Sequence, residues 1–334
     1  MKIEALKTEE SISYVKKIFA KELLKTMELI QISSPIMVLD DSGINDNLNG
    51  VERTVTFSVK FLKGEKAVIV NSLAKWKRLR LKQFEVEIGK GILTDMRAIR
   101  PDEDYSSIHS IYVDQWDWEK RIDKSQRNLK YLKEEVRKIY QVIRKTEQKV
   151  AVQYSEIQSY LPEKITFFHT EELCRKFSLF TPKERERIVC EKYGAVFLIG
   201  IGKKLSDGQE HDGRAPDYDD WSTKNEDGYY GLNGDILIWN PVIKSVFELS
   251  SMGIRVDAET LIKQLKIREV EERKKLPFHK LLLNDELPLS IGGGIGQSRI
   301  CMYMLRKMHI GQVQVSLWPE PMVSELSEMG ISLL

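Results

Sequence analysis

Three arginines, each set among residues suited to binding anions, are the part of this 334-residue chain that most invites a chemical reading. Arg100 closes the run MRAIR and is followed by Pro-Asp-Glu-Asp. A guanidinium is a rigid fork of donors that matches phosphate and carboxylate oxygens. Here it ends a strand, precedes a polar loop to His109, and leads into the acid-bearing stretch SIYVDQWDWE. That order suits a nucleotide-gripping hairpin, or else a surface arginine paired with Asp102 or Glu103. Arg299 follows Gly292-Gly293-Gly294-Ile295-Gly296-Gln297-Ser298 and enters an apolar helix expected over 297–308. No Gly-Lys-Ser/Thr follows, so this is not a Walker A loop. Gln297 stands where a dinucleotide loop has its last glycine. What remains is a glycine turn presenting an arginine at a helix N-terminus, where anions are favoured, or a tight strand-to-helix turn with Arg299 on the surface. Arg255 ends FELSSMGIR. Strand alternation there puts Glu248 and Ser250 on one face, and a carboxylate beside hydroxyls can hold magnesium on nucleotide phosphates. Asp235 offers a second carboxylate. The alternative is a salt bridge from Glu248 to an arginine.

The run Asn71 to Arg78, NSLAKWKR, admits three readings. It is a nucleic-acid contact, a solvated helix face, or a place where Ser72 and Lys77 meet a small anionic substrate. The acids of Asp217-Tyr218-Asp219-Asp220 read as an ordinary turn in a polar loop. The five histidines form no ligand-spaced pair and read as structural. Cys174, Cys190 and Cys301 are too scattered for a zinc site and suit free thiols in a reducing compartment. A formal charge of +2 supplies no general drive toward nucleic acid. No apolar run reaches membrane-spanning length, and the polar N-terminus is unlike a signal peptide. The expectation is a soluble cytoplasmic protein.

Several elements must position these residues. Ile12, Val15, Phe19, Leu23 and Met27 recur at helical spacing. Residues 55–61 alternate as a strand, with 67–70 as the hairpin partner. In 110–119, Ile111, Val113, Gln115 and Asp117 share one face; Tyr112, Asp114, Trp116 and Trp118 share the other. A face that turns from apolar to polar along its length suits a strand running from the core into a site. From Leu129 the pattern is helical, and further strands are expected near Val196, Asp235, Ser245 and Val313. No linker or composition break appears, so one α+β domain over 1–334 is expected, a largely antiparallel sheet flanked by helices.

Taken together, Pro35 after a long first helix, Arg100 at a strand end and Arg299 after a glycine run resemble the three motifs of class II aminoacyl-tRNA synthetases. NSLAKWK and ELSSMGIR resemble the substrate- and metal-binding segments of the aspartyl and asparaginyl members. The segments YVDQWDWE, KLSDG, RAPDYDDWST, GLNGDIL, FELSSMGIRVD, IGGGIGQSR and HIGQVQ resemble ammonia-dependent asparagine synthetases (asparagine synthetase A). The likeness runs from the first helix to the C-terminal Leu-Leu and is thinnest at 120–191 and 263–280. It implies a homodimeric class II-like core, without an anticodon-binding domain, that uses magnesium and converts aspartate, ATP and ammonia to asparagine, AMP and diphosphate. By the same resemblance, Arg100 bridges the α-phosphate and the reacting carboxylate, and Arg299 holds the phosphates or stacks on adenine. Glu248 and Asp235 bind magnesium, while Ser251, Asp219 and Gly294 contact the nucleotide. Lys77 and Arg255 bind carboxylates of aspartate, and Ser72 with Asp117 binds its ammonium end. Asp46 and Gln115 face the reacting group, with Asp46 receiving a proton from ammonia. A carrier- or tRNA-charging enzyme and a non-catalytic paralogue are the rival readings.

Overall fold

A computed structural model describes residues 2–45 and 53–334. The chain begins with α1 (Lys2–Met27), β1 (Leu29–Ile32), β2 (Met37–Leu39), β3 (Thr56–Ser58), β4 (Lys66–Ile69) and α2 (Ala74–Gln83). The hairpin β5 (Gly91–Ile99) and β6 (Tyr112–Arg121) precedes α3 (Leu129–Gln153), β7 (Thr166–His169), α4 (Thr170–Lys176) and α5 (Pro182–Tyr193). Then come β8 (Ala195–Ile199), β9 (Asn233–Asn240), β10 (Ser245–Ile254), α6 (Ala258–Ile267) and α7 (Pro277–Leu283), and finally β11 (Ser290–Gly296), α8 (Gln297–Met304) and α9 (Glu320–Glu328). Eight strands form one sheet in the order β1-β5-β6-β11-β10-β9-β8-β7. Its middle pairings are antiparallel, and only the outermost, β1 with β5 and β7 with β8, are parallel. The α+β, largely antiparallel expectation holds.

The apolar stripe of α1 is buried at every expected position, Ile12 through Met27. With α3 and α8 it covers one face of the sheet, where Phe19 stacks on Trp116 at 4.2 Å between ring centroids. On the other face α2 lies against β5, β6 and β11, and α5 against β8, β9 and β10. Between α2 and α5 the centre of the sheet opens into a cleft. Among the described residues no helix is long and apolar enough to cross a membrane. The three cysteines are free and buried.

Several local expectations are corrected. The glycine run is not a turn but β11, a central strand between β6 and β10. The helix after it stops at Met304, because Arg306 takes a left-handed φ of 56° and the Lys307 N–H turns back to the Met302 carbonyl. The alternating 55–61 stretch forms only the three residues of β3, all exposed, in a side sheet β2-β4-β3. Phe61 is 84% exposed, so that alternation has no core to face. Near Val313 the chain makes a short 3-10 turn, Ile310–Gln312, and then runs irregularly instead of forming a strand. The Gln314 side chain there bonds to side chains of two other elements.

The glycines answer to β6. Gly292 pairs with Glu119 and Gly294 with Asp117. A Cβ on Gly292 would overlap the Glu119 carboxylate, and one on Gly294 the Gln115 amide. A Cβ on Gly293 would lie 2.5 Å from that of Met252 on the other side. Gly296 has more room, its nearest neighbour being the Arg299 side chain at 3.4 Å. Gly292→Ala should therefore lower the unfolding free energy in urea by about 1–3 kcal/mol, against at most about 1 kcal/mol for Gly296→Ala. Equal losses would contradict this account of β11.

Candidate active site

The cleft has a volume of about 420 Å³ and lies over β6, β11, β10 and β9. Every residue given a catalytic, substrate, nucleotide or metal role from the sequence lines it except Asp46, which falls outside the described residues. Strand β6 supplies the floor at one end. Its alternation sends Trp116 and Trp118 into the core and Gln115, Asp117 and Glu119 toward the cleft.

Two buried cations meet these acids. The Lys77 ammonium donates to the Asp117 carboxylate, to the Trp118 carbonyl at 2.9 Å and to the Gly293 carbonyl at 3.2 Å. All three of its hydrogens are engaged, so a substrate carboxylate reaching Lys77 must replace one of these bonds. Burial pushes the Lys77 ammonium down and the Asp117 carboxyl up, and their attraction opposes both shifts. Arg255 is held bidentately by Glu119, with Nε to Oε1 at 3.0 Å and Nη2 to Oε2 at 2.8 Å. Its Nη1 donates to Asp219, and Ser290 Oγ donates to Glu119 Oε1 at 2.7 Å. Burial alone would weaken the Arg255 charge, but Glu119 and Asp219 overcome it and hold the guanidinium well above its ordinary range. Two of its five N–H groups remain beyond these bonds. Glu119 was not singled out from the sequence. Its place at the end of the YVDQWDWE alternation was the available signal.

The other end of the cleft is less committed. Arg100 lies just past β5; its Nη2 reaches the Asn71 carbonyl at 3.5 Å, Glu103 is 3.9 Å away, and its Nε has no partner among the described residues. Arg299, in the first turn of α8, donates to the Glu248 backbone carbonyl at 3.0 Å, with the Glu248 carboxylate at 3.9 Å. The expected grouping of Glu248 with Ser250 fails because a bulge shifts the register between them. Ser250 pairs with the core residue Ile236, whereas Ser251 lies opposite Asp235. Asp235 accepts from Arg214 Nη2 at 2.6 Å. Burial, added to by the Glu248 charge and opposed by Arg214, raises its carboxyl to about 6.

Arg214 is a second site residue that sequence reasoning missed. The acid-rich segment that follows it has the composition of an ordinary turn, yet Asp217, Asp219 and Asp220 are all buried. Asp217 binds Lys75, Arg273 and His279. The basic run is corrected in the same way. Lys75, Lys77 and Arg78 are buried, and Arg78 donates to the Pro288 and Val256 carbonyls, so the run is neither a solvated face nor a nucleic-acid surface. Of the histidines, His109 lines the cleft. Burial, reinforced by Arg299 and Arg100, lowers it to about 4, and it acts as a neutral ring bonded to Ser106 Oγ at 2.8 Å.

This fold is that of class II aminoacyl-tRNA synthetase catalytic cores. The structure aligns with asparaginyl-tRNA synthetase from Pyrococcus horikoshii in complex with asparaginyl-adenylate at a TM-score of 0.66 and 14% identity, covering 93% of this chain and 70% of that one. For the Entamoeba histolytica asparaginyl-tRNA synthetase the TM-score is 0.64 at 13% identity, covering 93% and 66%. Within this fold class the chain belongs to the aspartate-ammonia ligase family, AsnA, whose model matches residues 6–330. It is 53% identical to the aspartate–ammonia ligase of Parabacteroides distasonis over 327 residues, 98% of this chain and 95% of that protein. The Clostridium perfringens ligase is 54% identical over the same shares of the two chains.

Asp235 provides a test of the cleft's electrostatics. A carboxyl raised from 3.8 to about 6 on folding contributes stability that is complete below pH 3.8 and lost as pH rises through 6. Asp235→Asn does not titrate there. Between pH 4 and pH 7 the stability of the wild type relative to this variant should fall by about 3 kcal/mol. A pH-independent difference in denaturant titrations would show that Asp235 is ionised throughout.

Proposed function

We propose that the chain joins aspartate and ammonia into asparagine, using ATP and releasing AMP and diphosphate. The observation that carries this reading is a family match over nearly the whole chain, with anion-binding and carboxylate groups gathered in one cleft. A carboxylate resists ammonia because its oxygen is a poor leaving group. In the first step an oxygen of the aspartate β-carboxylate bonds to the α-phosphorus, and the bond to diphosphate breaks. In the second step ammonia nitrogen attacks the acyl carbon, AMP departs with the bonding pair, and the nitrogen sheds a proton.

The residues divide this work. Arg100, whose fork makes only long contacts among the described residues, bridges the α-phosphate and the attacking carboxylate, two anions that otherwise repel. Arg299 holds the phosphates or lies on adenine, and Gly294, Ser251 and Asp219 line the nucleotide's path. Arg255 and Lys77 take the carboxylates of aspartate, and Ser72 and Asp117 its ammonium. Gln115 and Asp46 face the reacting carbon, with Asp46 receiving the proton. Asp235 and Glu248 fit magnesium. They are two facing carboxylates whose mutual repulsion a cation relieves, and Asp235 already accepts from one cation, Arg214. Asp235 and Glu248 would hold the ion, which would supply positive charge against the phosphates. Among the described residues the lining carries nine carboxylates against five basic side chains, so ATP enters with its counter-cations.

One domain over 1–334, a cytoplasmic location and a homodimer complete the reading. The dimer is supported by the edge of β1, which among the described residues has no partner strand on its outer side, and by the exposed Ile30, Ile36 and Met37 nearby. The burial of Lys75, Lys77 and Arg78 weighs against the tRNA-charging alternative.

Purified protein with ATP, magnesium, aspartate and ammonium should form equal amounts of AMP and asparagine. AMP without asparagine would sink the proposal. Arg100→Ala should cut aspartate-dependent diphosphate release by roughly 10²–10³-fold, and near-normal release would remove Arg100 from the mechanism. Asp46→Ala should slow amide formation more than diphosphate release; equal slowing of both would end its assignment to ammonia.

A further inference from the structure

We propose that a buried hydrogen-bonded bridge, anchored by Asp114 and running through Gln314, fixes the spacing between Arg100 and Arg299 and thereby sets the affinity for ATP. The inference rests on the nucleotide reading above. The two arginines lie 199 positions apart in sequence and on different elements. Helix α8, which carries Arg299, has Gly296 at its N-cap and no side-chain cap of its own. Asp114, on the core-facing side of β6, supplies one. Its Oδ1 accepts from the Ser298 backbone N–H at 3.0 Å and from Ser298 Oγ at 2.6 Å, placing a carboxylate at the positive end of the helix. Its Oδ2 accepts from Lys16 on α1 at 2.9 Å, which balances the charge.

From Ser298 the bridge continues. Gln314 Nε2 donates to Ser298 Oγ at 2.9 Å, and Gln314 Oε1 accepts from Ser110 Oγ at 2.5 Å. Both bonds need the same orientation of the amide, and Ser298 Oγ donates to Asp114 while accepting from Gln314, so donors and acceptors are consistent along the chain. Ser110 adjoins Ile111, whose carbonyl takes the Arg100 backbone N–H at 2.8 Å. A second tie runs alongside, from the Ile310 N–H to the Ser107 carbonyl at 2.8 Å. The irregular segment after Val313 thus has a reason not to be a strand. It fastens the loop after Arg100 to the helix that carries Arg299. Asp114, Ser298, Gln314 and Ser110 are buried where the wall of the cleft meets the core, and they act as positioning residues, held by one another and by Lys16.

The test is calorimetric titration of magnesium-ATP, without aspartate, into wild type, Ser110→Ala, Gln314→Leu and the double variant, with Ser110→Thr as the conservative replacement. Thermal unfolding accompanies each variant. Each single loss should weaken ATP binding about five- to tenfold, the scale of one buried hydrogen bond. The double variant should be no weaker than the worse single variant, because both cut one chain. Ser110→Thr, which keeps the hydroxyl, should bind as wild type does, and the apparent KM for aspartate should stay unchanged in all variants. Wild-type ATP affinity in Gln314→Leu, losses that multiply in the double variant, or equal losses for ATP and aspartate would overturn the bridge. A wild-type protein that binds no ATP would instead overturn the functional reading.

Discussion

The site depends on a strand whose three middle residues carry no side chains. Over Gly292 to Gly294, β11 leaves the room into which Glu119 and Gln115 fold from β6. Charged groups can then lie almost at the mid-plane of the sheet, out of water, where an unpaired charge is costly. They are paired: Glu119 with Arg255, and Asp117 with Lys77, whose ammonium also takes the carbonyl of Gly293. The same glycine strand runs directly into α8, so the substrate floor and the helix carrying Arg299 share one segment of backbone.

This arrangement divides the cleft. At one end the charges are already committed to one another, which fixes their geometry before a substrate arrives. Such preorganisation suits recognition of a small zwitterion, since little reorganisation is required on binding. At the other end Arg100 and Arg299 make only long or backbone contacts among the described residues, and Asp235 shares its carboxylate with Arg214. Those groups keep bonding capacity for phosphates and a metal. Among the described residues the cleft carries more carboxylates than cations, so the polyanionic nucleotide depends on the cations that accompany it.

Much of this was legible in the chain. The α1 stripe from Ile12 to Met27 and the two-faced YVDQWDWE strand follow from periodicity alone, because a helix or strand with one buried face must show it. Arg100, Arg255, Arg299 and the acids Asp117, Asp235 and Glu248 are legible by type, order and family likeness. What was missed turns on contacts between distant segments. The glycine run looks like a turn until Glu119 and Gln115 are known to lie over it. Glu248 and Ser250 share a face until a bulge separates them. The acids around Asp217 and the basic residues of α2 look solvent-bound separately, yet the Lys75–Asp217 pair lets both be buried. Arg214 carried no local signal apart from preceding those acids. Asp114 was placed on the face opposite Gln115, but its partners Ser298 and Lys16 come from the two ends of the chain.

The central claim is that the β-carboxylate of aspartate is activated as an acyl-adenylate. The most direct measurement follows oxygen from aspartate labelled with heavy oxygen in that carboxylate, turned over with ATP and ammonium and analysed by mass spectrometry. The account predicts one labelled oxygen in the phosphate of AMP and the other retained in the asparagine amide. AMP free of label, or label in any other phosphate product, would contradict it.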